Sequence, residues 1–374
     1  MAMAARNRLA IAFAVTALAA AACAADTSSA IIRLLNSRAS GSPRGYAEAA
    51  KTVAEDAAKG RPLQQFVLAL VSEEKTAPEA ARLSAAKRKE YLDASREKIK
   101  TLAIARDNGL AWYLLSLEEG NGEYLKRAAD LKNVQALNAY GTMTLTQAFA
   151  DAKLSTNELA TVLGQCFACF KEAASQKDAN GFYNLGMCYL NGYGCQHDDE
   201  LAFNCFKTAA EMGHPEAINN LGGFYRDGVI VARDIDLATK CFVKSAAMDN
   251  AYGQLNYALA LQRGEGTAKD PHHAYELLQA AVAQGNAEAM NVLGMAFYNG
   301  LGVDKDLAKA VQWYRRSAQL GFPAAMDNLS SCYELGFGVR ESRELATVWR
   351  IRARAARGDS NAISWLKQNG YSLR

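Results

Sequence analysis

An apolar residue returns at an interval of 36: Leu185, Leu221, Tyr257, Leu293 and Leu329. A period in this range marks a chain assembled from copies of one supersecondary unit. The next residue is small each time: Gly186, Gly222, Ala258, Gly294 and Ser330. Four residues after the first column come Tyr189, Tyr225, Leu261, Phe297 and Tyr333, and three further on come Gly192, Gly228, Gly264, Gly300 and Gly336. Apolar residues four apart share a helical face, and a glycine supplies the positive-φ stop that ends a helix. Asp198, Asp234, Asp270 and Asp306 then stand where an N-cap carboxylate accepts from the open amides of a second helix, and Pro271 suits its first position. That second helix is marked by Ala202, Ala238, Ala274, Ala310 and Ala346, followed four residues later by Phe206, Phe242, Leu278, Tyr314 and Arg350. The spacing predicts five helical hairpins.

One hairpin hides a single apolar face against its own partner helix, so the next copy must cover the other and the array stacks. Small residues in the second column let two helices approach closely. Composition agrees with a helix-rich body: half the residues are hydrophobic, 22% are charged and only six are proline, which excludes a disordered or collagen-like chain.

These columns resemble the Sel-one-like repeat family, relatives of the tetratricopeptide repeats. The stretch from Met290 to Gly321 carries nearly all of the family's unit: Leu293, Gly294, Phe297, Gly300, Gly302, Val303, Asp306, Ala310, Trp313, Tyr314, Ala318 and Gly321. The resemblance implies an all-α fold, a right-handed α-solenoid of stacked helical hairpins, serving as a scaffold or adaptor that binds protein or peptide without a cofactor. Upstream the register persists irregularly. Cys169, Phe170 and Ala173 match Cys205, Phe206 and Ala209, while 45 residues separate Tyr140 from Leu185, which places an insertion of about nine near Phe149 to Asn157. A shorter hairpin spans Gly109 to Asn133, and Thr76 to Asp107 reads as one long or broken helix.

At the N-terminus Arg6 and Arg8 precede an unbroken apolar and small-residue stretch, Leu9 to Ala25, the pattern of a secretory signal peptide. No other stretch is long and apolar enough to span a bilayer, so the mature chain is expected to have no transmembrane span. Leu18 to Cys23 loosely resembles a lipobox, which makes Cys23 a candidate lipid anchor. The expected organisation is a signal peptide at 1–25, a divergent helical region at 26–108, degenerate repeats with an insertion at 109–179, five regular repeats at 180–362 and a cap or tail at 363–374. The expected location is the periplasm or outer envelope, with a secreted or lipid-anchored form as the alternative. Net charge is +3, too near neutral to argue for nucleic acid as a partner.

Catalytic signatures are sparse. His197, His214, His272 and His273 form no His-Glu-x-x-His pattern, so no catalytic zinc is expected. Cys166-x-x-Cys169 spells a redox motif but falls on an expected helix with no strand before it. The remaining cysteines recur in columns (Cys169, Cys205 and Cys241; Cys188 and Cys332) too far apart in stacked repeats for bridges, and read as buried small apolar residues. Ser-x-x-Lys occurs at Ser84/Lys87, Ser95/Lys98 and Ser364/Lys367 without the partner motifs of penicillin-binding enzymes, and reads as solvated helix faces.

What remains is a binding surface. The position before the small residue holds Asn184, Asn220, Asn256, Val292 and Asn328. An asparagine amide donates and accepts, so such a ladder, flanked by Tyr183, Met187, Asn191, Asn219 and Asn291, suits one peptide unit per rung of an extended segment on the concave helix face. The competing reading is structural, with the asparagines tying down the inter-repeat loop. A second candidate is the arginine-rich end, Arg340 to Arg357, where Arg350, Arg352, Arg354 and Arg357 form either a solubilising cap or a dock for an acidic partner. The expectation is a non-enzymatic interaction scaffold of the bacterial periplasm or cell envelope. The rivals are an envelope hydrolase or penicillin-binding enzyme and a secreted effector acting on a host protein.

Overall fold

The structure is a computed structural model that describes residues 43–59, 62–72, 79–151 and 153–372. The proposed signal peptide and Cys23 lie outside the described residues. Among the described residues regular structure is helical throughout, and they fall into two compact units that divide between Ala217 and Ile218.

In the first unit α1 (Pro43–Ala58) and α2 (Pro62–Val71) precede a 3₁₀ turn (Glu79–Ala81), α3 (Ala85–Arg106), α4 (Gly109–Glu119) and α5 (Gly122–Asp130). They are followed by α6 (Val134–Ala150), α7 (Thr156–Ser175), α8 (Ala179–Asn191) and α9 (Asp199–Glu211). The helix α10 (Pro215–Asp227) begins here and runs into the second unit. That unit continues with α11 (Ile235–Ala247), α12 (Ala251–Arg263), α13 (Pro271–Ala283), α14 (Ala287–Asn299), α15 (Leu307–Gln319), α16 (Pro323–Leu335), α17 (Arg343–Ala356) and α18 (Ser360–Gln368). Of the charged stretch Thr76 to Asp107, Ala85–Arg106 is one unbroken helix, α3, capped by Ser84 and ended by Asp107 at φ 45°, with the 3₁₀ turn before it. The insertion is absorbed by helix rather than loop: α6 and α7 run 17 and 20 residues where α8 and α9 have 13 each.

The helix boundaries follow from capping chemistry. Asp198, Asp234, Asp270 and Asp306 accept from Leu201, Leu237, His273 and Lys309 amides at 2.8 to 3.0 Å, satisfying donors that the first turn leaves open. The same aspartates close each hairpin loop through their own amides, which donate to the Tyr189, Tyr225, Leu261 and Phe297 carbonyls. The first helices also have a cap column: Asp178, Asn250 and Asn286 accept from the third amide of α8, α12 and α14.

The small column faces the second helix of its own hairpin. A Cβ on Gly186, Gly222 or Gly294 would meet the ring of Phe206, Phe242 or Tyr314 at 2.5 to 2.8 Å, so glycine is paired with an aromatic ring. Beyond the first stop glycine lies a second, Gly302, at φ 72°. A Cβ there would run into the Pro271 carbonyl, whose carbon would lie 2.5 Å away. This glycine lets the hairpin loop rest on the start of the preceding second helix. In the α10–α11 loop its place is taken by Ile230, which keeps an ordinary backbone, and Val229 and Ile230 are left 59% and 40% exposed.

Cores run across hairpin boundaries. In the second unit one apolar cluster extends from Leu255 through Leu278, Leu293, Tyr314 and Leu329 to Ala353, and α18 adds Ala362 and Leu366 against Ala355. Burial shared between neighbours is what binds a repeat array together.

Candidate functional site

The asparagine column sits on the first helices and is joined from copy to copy. Asn256 donates its side-chain amide to Asn219 Oδ1 at 2.8 Å, and Asn328 donates to Asn291 Oδ1 at 2.8 Å, both across 37 residues. In the first unit Asn184 donates to Asn138 Oδ1 at 3.1 Å across 46 residues, the longer separation reflecting the insertion. The remaining rung of the second unit replaces both amides: Leu255 and Val292 occupy the equivalent positions and are buried in the shared apolar cluster. An isolated amide opposite a hydrocarbon would be left without a partner at this depth, so the two positions change together.

Each bond joins one helix to the next rather than a helix to an inter-repeat loop. It uses one amide hydrogen of the donor asparagine. Among the described residues no further bond engages the side-chain oxygens, Oδ1, of Asn184, Asn256 and Asn328. Asn138, which sequence reasoning missed, is 5% exposed and also donates to Asp178 Oδ1 at 2.7 Å. Burial pushes the Asp178 carboxyl up against the hydrogen bonds it accepts. Of the flanking residues, Asn291 also donates to Met295 Sδ at 3.8 Å, and Asn191 donates to the Met187 carbonyl at 2.8 Å. Tyr183 stacks on His214, their ring centroids 4.5 Å apart. A cavity of about 20 Å³, roughly one water in size, lies beside Asn256, Arg226, Leu259 and Arg263.

His214 occupies the cap column of the first helices. Its Nδ1 accepts from the Ala217 amide at 3.3 Å and its Nε2 lies 3.2 Å from Asn180 Oδ1, so the cap needs the neutral ring with its proton on Nε2. Burial holds its pKa below the ordinary value, opposed by Glu216.

Three arginines of the arginine-rich end have carboxylate partners within the chain. Arg350 meets Glu334 at 2.6 Å and Arg354 meets Asp359 at 2.7 Å, while Arg357 pairs with Asp327. Arg352 donates to the Ser372 carbonyl at 3.2 Å and lies over the Trp349 ring, 4.6 Å from its centroid.

Cys166, Cys188 and Cys332 are buried, Cys169, Cys195, Cys205 and Cys241 are half-buried, and all seven are free thiols. Burial pushes Cys166, Cys205 and Cys332 up to about 11 and Cys188 up to about 12, the opposite of what a redox nucleophile requires. Cys166 and Cys169 both lie on α7. The Ser-x-x-Lys serines are not all on solvated faces. Ser84 caps α3, and Ser95 is fully buried and donates to the Tyr91 carbonyl at 2.5 Å. Among the described residues no three His, Cys, Asp or Glu side chains converge to hold a metal ion.

Consecutive α-hairpins with capped second helices and cores shared between copies define a tetratricopeptide-like helical-repeat protein. Its residues 183–214, 215–250, 251–286, 287–322 and 323–353 match the Sel1 repeat, the family the sequence resembles. A search of curated proteins finds no match. Among solved structures, a Sel1 repeat protein from Oxalobacter formigenes is 26% identical, covers 60% of this chain and 86% of its own, and superposes with a TM-score of 0.47. The protective antigen c5321 from uropathogenic Escherichia coli, an SLR fold, is 24% identical over 84% of this chain and 65% of its own, with a TM-score of 0.47. The immunity protein Pa5087 from Pseudomonas aeruginosa is 20% identical over 59% of this chain and 82% of its own, with a TM-score of 0.41. Sel1 repeat proteins generally mediate protein–protein interaction and are typically non-catalytic scaffolds.

Proposed function

We propose that this chain is a non-catalytic scaffold that holds an extended segment of a partner protein against the first-helix face, and that it works after export, in the periplasm or at the cell envelope. The observation that carries the reading is the asparagine column. Inter-helix bonds fix the amides at 2.8 Å, and the side-chain Oδ1 atoms of Asn256 and Asn328 remain for a ligand. Groups held rigid before binding lose little entropy on binding. Tyr252 on α12 and Met295 on α14, 55% and 43% exposed, supply apolar contact on the same face. Export rests on Arg6, Arg8 and the apolar stretch that follows, and N-terminal sequencing of the mature chain tests it. Labelling with a radioactive fatty acid tests Cys23 as a lipid anchor.

The partner-binding test separates a ligand role from a structural one. A photo-crosslinker at Tyr252 captures and identifies the bound segment in intact cells. Purified protein carrying Asn219→Leu with Asn256→Val copies the apolar rung that Leu255 and Val292 already form. That variant should keep its helicity and lose the captured segment at least tenfold, as should Asn220→Ala. Unchanged affinity in both would defeat the reading.

A further inference from the structure

On the second unit the exposed side of each first helix repeats at i, i+4, i+7 and i+11, and the four columns differ in what they leave open. Most charges on this face are already compensated within the chain. Arg226 pairs with Asp227 at 2.8 Å and feels Glu288 and Glu265, Arg263 lies 3.7 Å from Glu265, and Glu334 and Asp327 are taken by Arg350 and Arg357. A charged ligand would have to displace an existing partner at each of these places. What stays open is amide and hydrocarbon: Asn256 and Asn328, with Tyr252, Leu259 and Met295 beside them.

The spacing between copies limits the ligand's own period. A 2.8 Å bond between the side chains of Asn256 and Asn219 holds their Cα atoms within about 10 Å, which limits the step from one first helix to the next. Three residues of extended chain cover about 9–10 Å. In a β-strand, residues i and i+3 point to opposite sides, whereas in polyproline II, with three residues per turn, they point the same way. Only the second conformation brings successive apolar side chains onto equivalent positions such as Leu259 and Met295 while the backbone passes the asparagines.

Resting on the reading that this face holds an extended segment, we infer that the segment is uncharged, repeats an apolar residue every third position and binds in the polyproline II conformation. The test uses full-length mature protein and four labelled peptides followed by fluorescence anisotropy: (Leu-Pro-Gln)₄, (Leu-Gln)₆, (Leu-Pro-Glu)₄ and (Leu-Pro-Lys)₄. The first should bind at least tenfold tighter than the other three and change less than twofold between low and high salt. Tyr252→Ala, at an exposed position, should weaken it at least tenfold. Equal binding by the alternating peptide, by either charged peptide, or by the Tyr252→Ala protein overturns the inference. If no peptide binds while the crosslinked segment still does, the three-residue period is wrong and the parent reading stands. If the crosslinked segment ignores the apolar-rung graft, both fall.

Discussion

Two glycines two residues apart allow the energetics of the hairpin loop to be taken apart. Gly300 and Gly302 share a left-handed backbone, φ 74° and 72°, so alanine at either position carries the same conformational penalty of about 1–2 kcal/mol. Their surroundings differ. A Cβ on Gly300 has no neighbour nearer than Lys305 Cβ at 3.5 Å, an ordinary contact, while one on Gly302 drives into the Pro271 carbonyl, a backbone group with no rotamer to escape into. Overpacking of this kind adds about 1–3 kcal/mol, and more where backbone must shift. Gly300→Ala should therefore cost about 1.5 kcal/mol and Gly302→Ala about 3–5 kcal/mol. At roughly 2–4 °C per kcal/mol for a unit of this size, the melting points should fall by about 5 °C and about 12 °C. Thermal and urea melts followed by circular dichroism at 222 nm measure both. Equal losses would refute the claim that the second glycine exists for close approach between copies, and would reduce it to another helix stop.

Gly294→Ala should cost less than Gly302→Ala, about 0–2 kcal/mol in the same melts. The Tyr314 ring at 2.6 Å must give way, but alanine recovers about 1 kcal/mol of helix propensity. Asn328→Ala should cost about 1 kcal/mol and leave Asn291 Oδ1, in a residue 6% exposed, without its donor. Because burial lowers the His214 pKa, the neutral ring is the folded-state form. Its contribution is complete above the unfolded value of about 6.5 and is lost as pH falls through the lower folded value. Stability measured from pH 8 to 5 should drop below about 6.5, and His214→Asn, matching Asn250 and Asn286 in the cap column, should flatten that limb; an unchanged limb would show that the drop has another source. In native protein at pH 8 an aromatic disulfide reagent should modify Cys195 and Cys241 before Cys188, whose thiol at about 12 is ionised in only about one molecule in ten thousand; early labelling of Cys188 would contradict its burial.

The hairpins were legible because each signal that makes them falls inside one 36-residue window: the cap aspartate, the stop glycine and the apolar pair are all local chemistry. What reached across copies was not. Asn256 meets Asn219 rather than its own column mate Asn220, because helical side chains tilt toward the N-terminus and meet a neighbour offset by one position. A column search at an interval of 36 passes over a contact at 37. The arginine-rich end misleads for a related reason. Counted between residues 340 and 357 its charge is lopsided, yet the carboxylates that pair with Arg350, Arg354 and Arg357 are Glu334, Asp359 and Asp327, all outside that window. His214 escaped notice as a cap because histidine seldom holds that place, although its position in the column with Asp178, Asn250 and Asn286 was available. The Ser-x-x-Lys spacing says nothing about which side of α3 Ser95 occupies, and that side is the buried one. In a repeat protein, then, sequence discloses the unit well. Its pairings become readable only when the offset between neighbouring copies is known, and here the exchange of Asn219 and Asn256 for Leu255 and Val292 at the next rung would have betrayed that offset.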